Sequence, residues 1–328
     1  TLNMSMLYYF FSIKEKDNAY LFDYLNISKN KDALKYQNKY PTIFISLKEM
    51  KSLTFDAQIS SFSNVIYELL EKNLEILSSD QLSDTTKEIL NKLHNRSSSI
   101  EDLKISLRVI TNALYTYYQK KVIVLIDEYD VPLQAAYQNN YYEEMVDFLR
   151  SVFSSALKTN DALEKGVMTG CLRISKESIF TGLNNLKVLS VADVQFDEYF
   201  GFKDSDVKNI LEYYELSEHY DEIKMWYDGY RFGNVEVYCP WDVINYANKL
   251  RFNAAAQPEA FWVNTSGNEL VQHFVHKADK NTKNELEQLL DGECIEKSLR
   301  LDLTYDELDR SIDNLWSVLF TTGYLTTS

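Results

Sequence analysis

Glycine and proline are scarce in this chain of 328 residues, which has nine glycines and four prolines. These two residues are the main breakers of regular structure, so the sequence predicts long elements joined by few tight turns. The first glycine is Gly166, and no Gly-Lys pair occurs anywhere. The sequence therefore contains no glycine-rich phosphate-binding loop.

Cysteine, histidine and long apolar runs are sparse as well. The three cysteines, Cys171, Cys239 and Cys294, form no CxxC pair, which favours reduced thiols and a cytoplasmic setting over a disulfide scaffold. His273 and His276 are close in sequence, but no carboxylate or cysteine beside them completes a metal site. No stretch approaches the ~20 apolar residues of a membrane span, and the first residues lack a signal-peptide pattern, so we expect no membrane contact.

Positive charge is in short supply. The 34 Lys and Arg against 49 Asp and Glu give a formal net charge of −15. This balance disfavours a broad nucleic-acid-binding face, because phosphate contacts need clustered basic residues. The same charge balance is compatible with a local cationic pocket. The 45% of hydrophobic residues is enough for a sizeable core in one large domain or two modest ones.

Apolar, β-branched runs alternate with amphipathic segments over the first 200 residues. Such runs predict strands buried on both faces, and the amphipathic segments predict helices. A capping box formed by Ser99 and Asp102 begins one of the helices. The alternation predicts an α/β fold with a parallel sheet and helices on both faces. Strands are predicted at 41–47, 122–126, 165–170 and 187–191, and helices at 1–12, 55–77, from about 99 onward, and at 141–158.

The pattern changes after about residue 200, where we place a domain boundary. Residues 201–328 are acidic and predicted to be mainly helical, with a last helix through NLWSVLF and a strand in the final TTGYLTTS. An Asp-Gly turn at 228–229 predicts a β-hairpin over 226–238. The sequence thus predicts a core domain over 1–200 and a second region over 201–328.

The strongest chemical signal is the run Val-Ile-Val-Leu-Ile followed by Asp127 and Glu128. In P-loop nucleoside triphosphatases, a buried strand delivers an aspartate to Mg²⁺, and a nearby acidic residue can act on the attacking water. The carboxyl ends of parallel strands are also where α/β folds bind ligands. A buried strand followed by two helix-capping acids is the alternative interpretation, and the motif alone does not separate the two.

The order of the elements favours the nucleotide-binding interpretation. A helix, a strand, the acidic strand and a strand ending in the polar Thr169 follow one another, as they do after the phosphate loop of such enzymes. The last residue of the loop signature G-x-x-x-x-G-K-[ST] would be Thr1, whose hydroxyl would bind Mg²⁺; the alternative is that Thr1 has no such role. In such enzymes a strand also precedes the phosphate loop, and this first strand is absent from the sequence. We expect it to lie between the strands at 165–170 and 187–191.

Five segments resemble the bacterial AAA-ATPase-like family, whose members often carry a PD-(D/E)XK nuclease-like domain after the ATPase. They extend through nearly the whole chain: LIDEYDVPLQAAY, GVMTGCLRISKESIFTGLNNLKV, WYDGYRFG, FWVNTSGNEL and LFTTGYLT. In that family a loop of the type R-R-F-G-K-[ST] leads into a helix like LNMSMLYYFFS. The resemblance implies a P-loop NTPase sheet whose first strand and loop precede Thr1, a mainly helical lid after residue 200, and a nuclease-like domain after Ser328, so that the sequence is truncated at both ends.

The resemblance also implies ATP and Mg²⁺ as ligands. Arg173 and Lys176 follow the sensor strand and would stabilise charge on the transferring phosphate; for Arg173 a surface ion pair is the alternative. The implied site residues are Thr1 and Asp127 for the metal, Glu128 for the water, Thr169 as the polar sensor, and Arg173 and Lys176 for the phosphate.

Two functions follow from these expectations. The first is Mg²⁺-dependent ATP hydrolysis by the intact protein, with this part alone inactive. The second is a non-catalytic P-loop scaffold or interaction module that serves a fused nuclease-like domain. The acidic composition argues against direct nucleic-acid binding by this region. We expect the aromatic residues over 226–232 to pack within the hairpin rather than to stack on a base.

Overall fold

A computed structural model describes residues 1–171, 186–262, 269–301, 303–308 and 310–327. The chain divides into two compact units, Thr1–Leu186 and Lys187–Ser328. The sequence predicts a boundary near residue 200, whereas the change between the units falls at 186/187.

The first unit is built on a parallel sheet. Its order is β1-β2-β3, with β1 at Thr42–Ser46, β2 at Val122–Asp127 and β3 at Leu163–Met168. The strands predicted near these positions are confirmed. The register pairs Ser46 with Asp127 and Ile126 with Met168, so the carboxyl ends of the strands share one edge.

Helices surround this sheet and bury its central strand. All six residues of β2 are buried, as expected of a strand in the middle of a parallel sheet. Met4 packs against Ile123 and Leu125 on one face, and the alternate residues of β2 are buried on the other. The helices are α1 (Leu2–Phe11), α2 (Lys31–Leu34), α3 (Phe55–Glu71), α4 (Asp84–His94), α5 (Ile100–Tyr118), α6 (Val131–Gln138) and α7 (Tyr142–Leu157).

Local capping signals set the start of helices in this unit. Helix α5 begins at the predicted capping box: Ser99 Oγ accepts from the Asp102 backbone N–H at 3.1 Å, and Asp102 Oδ2 accepts from the Ser99 N–H at 2.9 Å. These bonds satisfy backbone donors that the first turn of a helix leaves without partners. Helix α3 contacts β1, α5 contacts β2 and α7 contacts β3, so each strand of the sheet is packed directly against a helix.

The second unit is mainly helical, as predicted, with one two-stranded antiparallel sheet. Its core contains apolar side chains from three helices and one strand, among them Val207, Ile223 and Tyr246. The elements are α8 (Asp204–Tyr213), α9 (Tyr220–Tyr227), β4 (Asp228–Phe232), β5 (Val235–Tyr238), α10 (Pro240–Phe252), α11 (Glu269–Lys277), α12 (Lys280–Leu290), α13 (Tyr305–Leu308) and α14 (Asn314–Thr321).

The strand predicted at 187–191 is wrong. Residues 187–190 are irregular and lead into a turn. The carboxylate of Asp193 accepts from the backbone N–H and the hydroxyl of Ser190 at 2.7 and 2.8 Å, so the local backbone is satisfied by a side chain rather than by a sheet partner. The strand expected to precede the phosphate loop was predicted to lie between the strands at 165–170 and 187–191. The second of these two neighbouring strands is not present.

The predicted hairpin is present, but its turn was wrongly placed. Strands β4 and β5 pair from Asp228 with Tyr238 to Phe232 with Val235, which leaves Gly233 and Asn234 as the two-residue loop. Gly233 has φ +52°, a conformation that glycine adopts without a steric penalty. Gly229 lies instead at a register shift inside β4.

The strand predicted at the end of the sequence is also wrong. Residues 325–327 have no regular structure. The backbone N–H groups of Tyr324 and Leu325 both donate to the Leu319 carbonyl, at 2.8 and 3.1 Å, and Gly323 has φ +83°. A glycine in the left-handed conformation followed by such hydrogen bonds is a helix C-cap. The segment therefore ends α14 and does not join a sheet.

Candidate functional site

The candidate site lies at the carboxyl edge of the parallel sheet. Asp127 is the last residue of β2, and Thr169 follows β3 directly. Backbone bonds hold both positions: the Thr169 N–H donates to Ile126 O at 3.0 Å, and the Tyr129 N–H donates to Thr169 O at 3.0 Å. The Leu47 N–H donates to Asp127 O at 2.9 Å. Hydrogen bonds at the ends of all three strands therefore fix the main-chain position of Asp127.

Two threonine hydroxyls hold the Asp127 carboxylate. Thr1 Oγ1 donates to Asp127 Oδ2 at 2.7 Å, and Thr169 Oγ1 donates to Asp127 Oδ1 at 2.7 Å. Asp127 is fully buried, and hydrogen bonds to a carboxylate are among the stronger ones in proteins. The pair of bonds fixes the orientation of the carboxylate and supplies partners for its charge away from bulk water.

Glu128 adopts a backbone conformation that is unusual for its residue type. Its φ is +54°, in the left-handed region that costs a non-glycine residue roughly 1–2 kcal/mol. The chain turns sharply here after β2, and Glu128 Oε1 lies 3.4 Å from Thr1 Oγ1. Strained residues of this kind concentrate at functional sites, which makes Glu128 a candidate on structural grounds as well as by sequence.

A tightly packed layer lies behind these side chains. Asp130 is buried, and its Oδ2 accepts from the Cys171 backbone N–H at 2.9 Å. A Cβ atom at Gly170 would lie 2.7 Å from Asp130 Oδ1 and 2.9 Å from Tyr129 Cε1. Position 170 therefore requires a residue without a side chain. This constraint was not predicted, although a glycine directly after Thr169 was the signal for it in the sequence.

The oxygens gathered here suit a hard cation. A threonine hydroxyl and a carboxylate 2.7 Å apart are ligand types that Mg²⁺ prefers. Within the described part of the chain, no group of three or more His, Cys, Asp or Glu side chains could hold a metal ion. The remaining ligands of an ion at this edge would be waters and substrate phosphates, which is the usual arrangement for Mg²⁺.

The structure brings together four of the six predicted site residues: Thr1, Asp127, Glu128 and Thr169. Arg173 and Lys176 lie outside the described residues. In the hairpin, the Tyr230 and Phe232 rings lie 6.5 Å apart. No helix among the described residues has both the length and the apolar character that a membrane crossing needs.

Comparison with known proteins identifies a relative and a family of this chain. A protein of Azotobacter chroococcum mcd 1, named only as an uncharacterized protein in the vnfD 5′ region, is 34% identical over 135 residues, which are 40% of this chain and 26% of the relative. The chain thus spans about a quarter of that relative's length. No solved structure matches the chain. The AAA-ATPase-like family, described as predicted AAA-ATPases, matches residues 1–180, and the chain belongs to this family.

Proposed function

We propose that the intact protein binds ATP with Mg²⁺ and hydrolyses it at the carboxyl edge of the parallel sheet. One observation carries this proposal: the buried Asp127 carboxylate is held between the hydroxyls of Thr1 and Thr169, with Glu128 beside it. Phosphoryl transfer needs mainly positioning and charge stabilisation, and an oriented, buried carboxylate next to a hydroxyl is suited to both. Membership of a family of predicted ATPases supports the same activity.

Each residue has a proposed part in this chemistry. Thr1 and Asp127 would hold Mg²⁺, which supplies charge neutralisation at the β- and γ-phosphates. Glu128 orients the attacking water and takes its proton. Thr169 fixes Asp127 and senses the γ-phosphate, and Arg173 and Lys176 supply positive charge to it. The mainly helical region over 201–328 responds to nucleotide as a lid, and protection of that region from proteolysis on addition of ATP tests this part.

We further propose that a strand and a phosphate loop precede Thr1 in the intact protein, and that this strand pairs with the outer edge of β3. Among the described residues β3 pairs with β2 alone, and Glu164, Lys165 and Gly166 are exposed, whereas strands of parallel sheets are normally covered. A protein extended upstream by about 40 residues, enough for a strand with its loop and lead-in, should unfold at a higher temperature. Equal unfolding temperatures would contradict this strand order.

The activity is tested by Glu128→Gln in a full-length protein that carries a Gly-Lys loop. The exchange keeps the shape of the side chain but removes its basicity, so ATP binding by calorimetry should persist. Phosphate release should fall by about 100-fold or more, the usual contribution of a general base. The matched control is Glu68→Gln, which changes an exposed carboxylate on α3 and should leave both quantities unchanged.

Two results would contradict the proposal in different ways. Unchanged turnover by Glu128→Gln removes Glu128 from the role of base while leaving ATP binding in place. Absence of ATP binding by the full-length protein, with its Gly-Lys loop intact, favours the alternative of a non-catalytic P-loop scaffold that serves a neighbouring nuclease-like domain.

A further inference from the structure

The second unit contains a pocket of about 250 Å³ that the ATPase proposal does not use. The pocket lies where the end of α9 and the start of β4 meet the start of α10 and residues 260–262 and 323–326. Three of the five segments that carry the family resemblance contribute to its wall: WYDGYRFG, FWVNTSGNEL and LFTTGYLT. Its volume is below the usual range for whole drug-sized ligands, so it fits a small group.

Aromatic side chains form much of the wall. Trp226, Tyr230, Trp262 and Tyr324 all line the pocket, and the Trp262 and Tyr324 rings meet edge to face with centroids 5.7 Å apart. The face of an aromatic ring carries partial negative charge and attracts a cation placed over it. Guanidinium and substituted ammonium groups bind such walls well because they are weakly hydrated.

The charged residues of the wall are both acidic. Asp228 and Asp242 line the pocket, and no Lys, Arg or His is among its described lining residues. Asp242 Oδ1 accepts from the Phe261 N–H at 3.0 Å, whereas Asp228 Oδ1 is buried and has no hydrogen-bond partner among the described residues. Burial, followed by the nearby Glu236, raises the pKa of Asp228. A cation in the pocket would compensate the charge of this carboxylate.

Other ligands and reactions fit this wall poorly. Two carboxylates repel a phosphate group, and a neutral base stacked on the rings would leave their charge without compensation. Cys239 also lines the pocket, but burial and the adjacent Asp242 raise the pKa of its thiol. A protonated thiol is a poor nucleophile, so the wall is suited to binding rather than to covalent chemistry.

We propose that this pocket binds a small organic cation, a guanidinium or alkylammonium group, between the aromatic rings and the carboxylates of Asp228 and Asp242. The chemistry is that of an arginine side chain and equally that of a free amine that carries a guanidinium group. The proposal is independent of ATP hydrolysis, because none of the pocket residues belongs to the carboxyl edge of the parallel sheet.

Calorimetric titration of the 328-residue chain with matched probes tests the proposal. Acetyl-arginine amide represents a peptide side chain, agmatine represents a free cation, and acetyl-citrulline amide is the neutral analogue of the first. We expect a cationic probe to bind at least about tenfold more tightly than the citrulline probe, a difference of about 1.4 kcal/mol. Tighter binding of agmatine would point to a free amine, and tighter binding of the arginine amide to a peptide.

Variants localise the binding. Asp228→Asn keeps the side-chain volume and should weaken the cationic probe about tenfold, and Trp226→Leu should weaken it independently by removing an aromatic face. The control, Asp221→Asn, changes an exposed carboxylate of the same unit outside the pocket and should have no effect. Near-UV circular dichroism confirms the fold of each variant.

Three results would overturn the proposal. The first is equal affinity for the citrulline and arginine probes. The second is no binding of either cation at about 20 mM, a concentration that would reveal even a millimolar dissociation constant. The third is unchanged affinity for the cationic probe in folded Asp228→Asn and Trp226→Leu proteins.

Discussion

The hydroxyl of Thr169 donates a 2.7 Å hydrogen bond to Asp127 Oδ1 and so joins the ends of two neighbouring parallel strands. Asp127 is fully buried, and its other oxygen is held by Thr1. The carboxylate therefore depends on two side-chain donors for its orientation. Loss of either donor leaves a buried acceptor less well satisfied, which is costly in a protein interior.

Thr169→Val should destabilise the first unit more than Thr169→Ser does. Valine matches the shape of threonine but removes the donor to Asp127, and loss of a hydrogen bond to a buried charged group costs about 1–3 kcal/mol. Serine keeps the hydroxyl and should cost less than about 1 kcal/mol. Urea unfolding of the three proteins measures the difference, and equal free energies of unfolding for the two variants would show that the hydroxyl contributes nothing.

Glu128→Gly should raise the free energy of unfolding or leave it unchanged while abolishing ATP turnover in the full-length protein. Glycine relieves the left-handed conformation at φ +54°, a gain of up to about 1 kcal/mol after the entropy of the unfolded chain is counted. Gln119→Gly is the matched control, because Gln119 ends α5 at φ +51° and lies outside the proposed site. It should show the same change in stability with turnover intact.

A loss of more than about 1 kcal/mol in Glu128→Gly, beyond what Gln119→Gly shows, would mean that the Glu128 side chain stabilises the fold. The left-handed backbone of Glu128 would then have a structural rather than a functional explanation. Thermal unfolding and phosphate-release measurements on the same protein samples separate these outcomes.

The acidic half of the site was predictable from sequence because its determinants are local. A run of apolar residues before Asp127 and Glu128 specifies a buried strand, and parallel pairing places its end beside Thr169. The conformation of Glu128 and the crowding at Gly170 depend on contacts with segments distant in sequence. Periodicity and motif spacing contain no information about such contacts.

The errors in the second unit have a common cause. Residues 187–191 have strand-forming side chains, but the Ser190–Asp193 turn satisfies the local backbone instead. The hairpin contains two plausible turn dipeptides, Asp228-Gly229 and Gly233-Asn234, and the pairing of Phe232 with Val235 selects the second. In both cases two local structures compete for the same residues, and strand propensity is only a weak guide to which one forms.

Gly170→Ala should destabilise the first unit by about 1–3 kcal/mol, the usual cost of overpacking. The new Cβ would lie 2.7 Å from Asp130 Oδ1 and 2.9 Å from Tyr129 Cε1, and both residues are buried. Gly166→Ala is the control, since its Cβ would crowd only the flexible end of Leu157. Urea unfolding should show a smaller loss for Gly166→Ala, and the reverse order would contradict the packing described around Asp130.

A charged network in the second unit makes its stability depend on pH. Lys208 Nζ lies 2.7 Å from Asp204 Oδ2, and the hydroxyls of Tyr238, at 3.0 Å, and of Tyr220 donate to Asp204 Oδ1. Lys208 and then Tyr220 lower the pKa of Asp204 to about 2. The unfolded chain has an aspartate pKa of about 3.9, so the folded state binds this proton less readily.

Asp204→Asn should therefore lower the free energy of unfolding at pH 7, and its effect should shrink as the pH falls. A depressed folded-state pKa contributes stability that is present above the unfolded value and is lost as the pH falls from about 4 to about 2. Because Asp204 is 43% exposed, we expect a loss of at most about 1 kcal/mol at pH 7. Glu212→Gln, an exposed carboxylate on the same helix, is the control. Urea unfolding of the wild type and both variants at pH 7, 5 and 3 measures the effect. If the loss of unfolding free energy in Asp204→Asn stays constant with pH, the network stabilises the unit by packing rather than by charge.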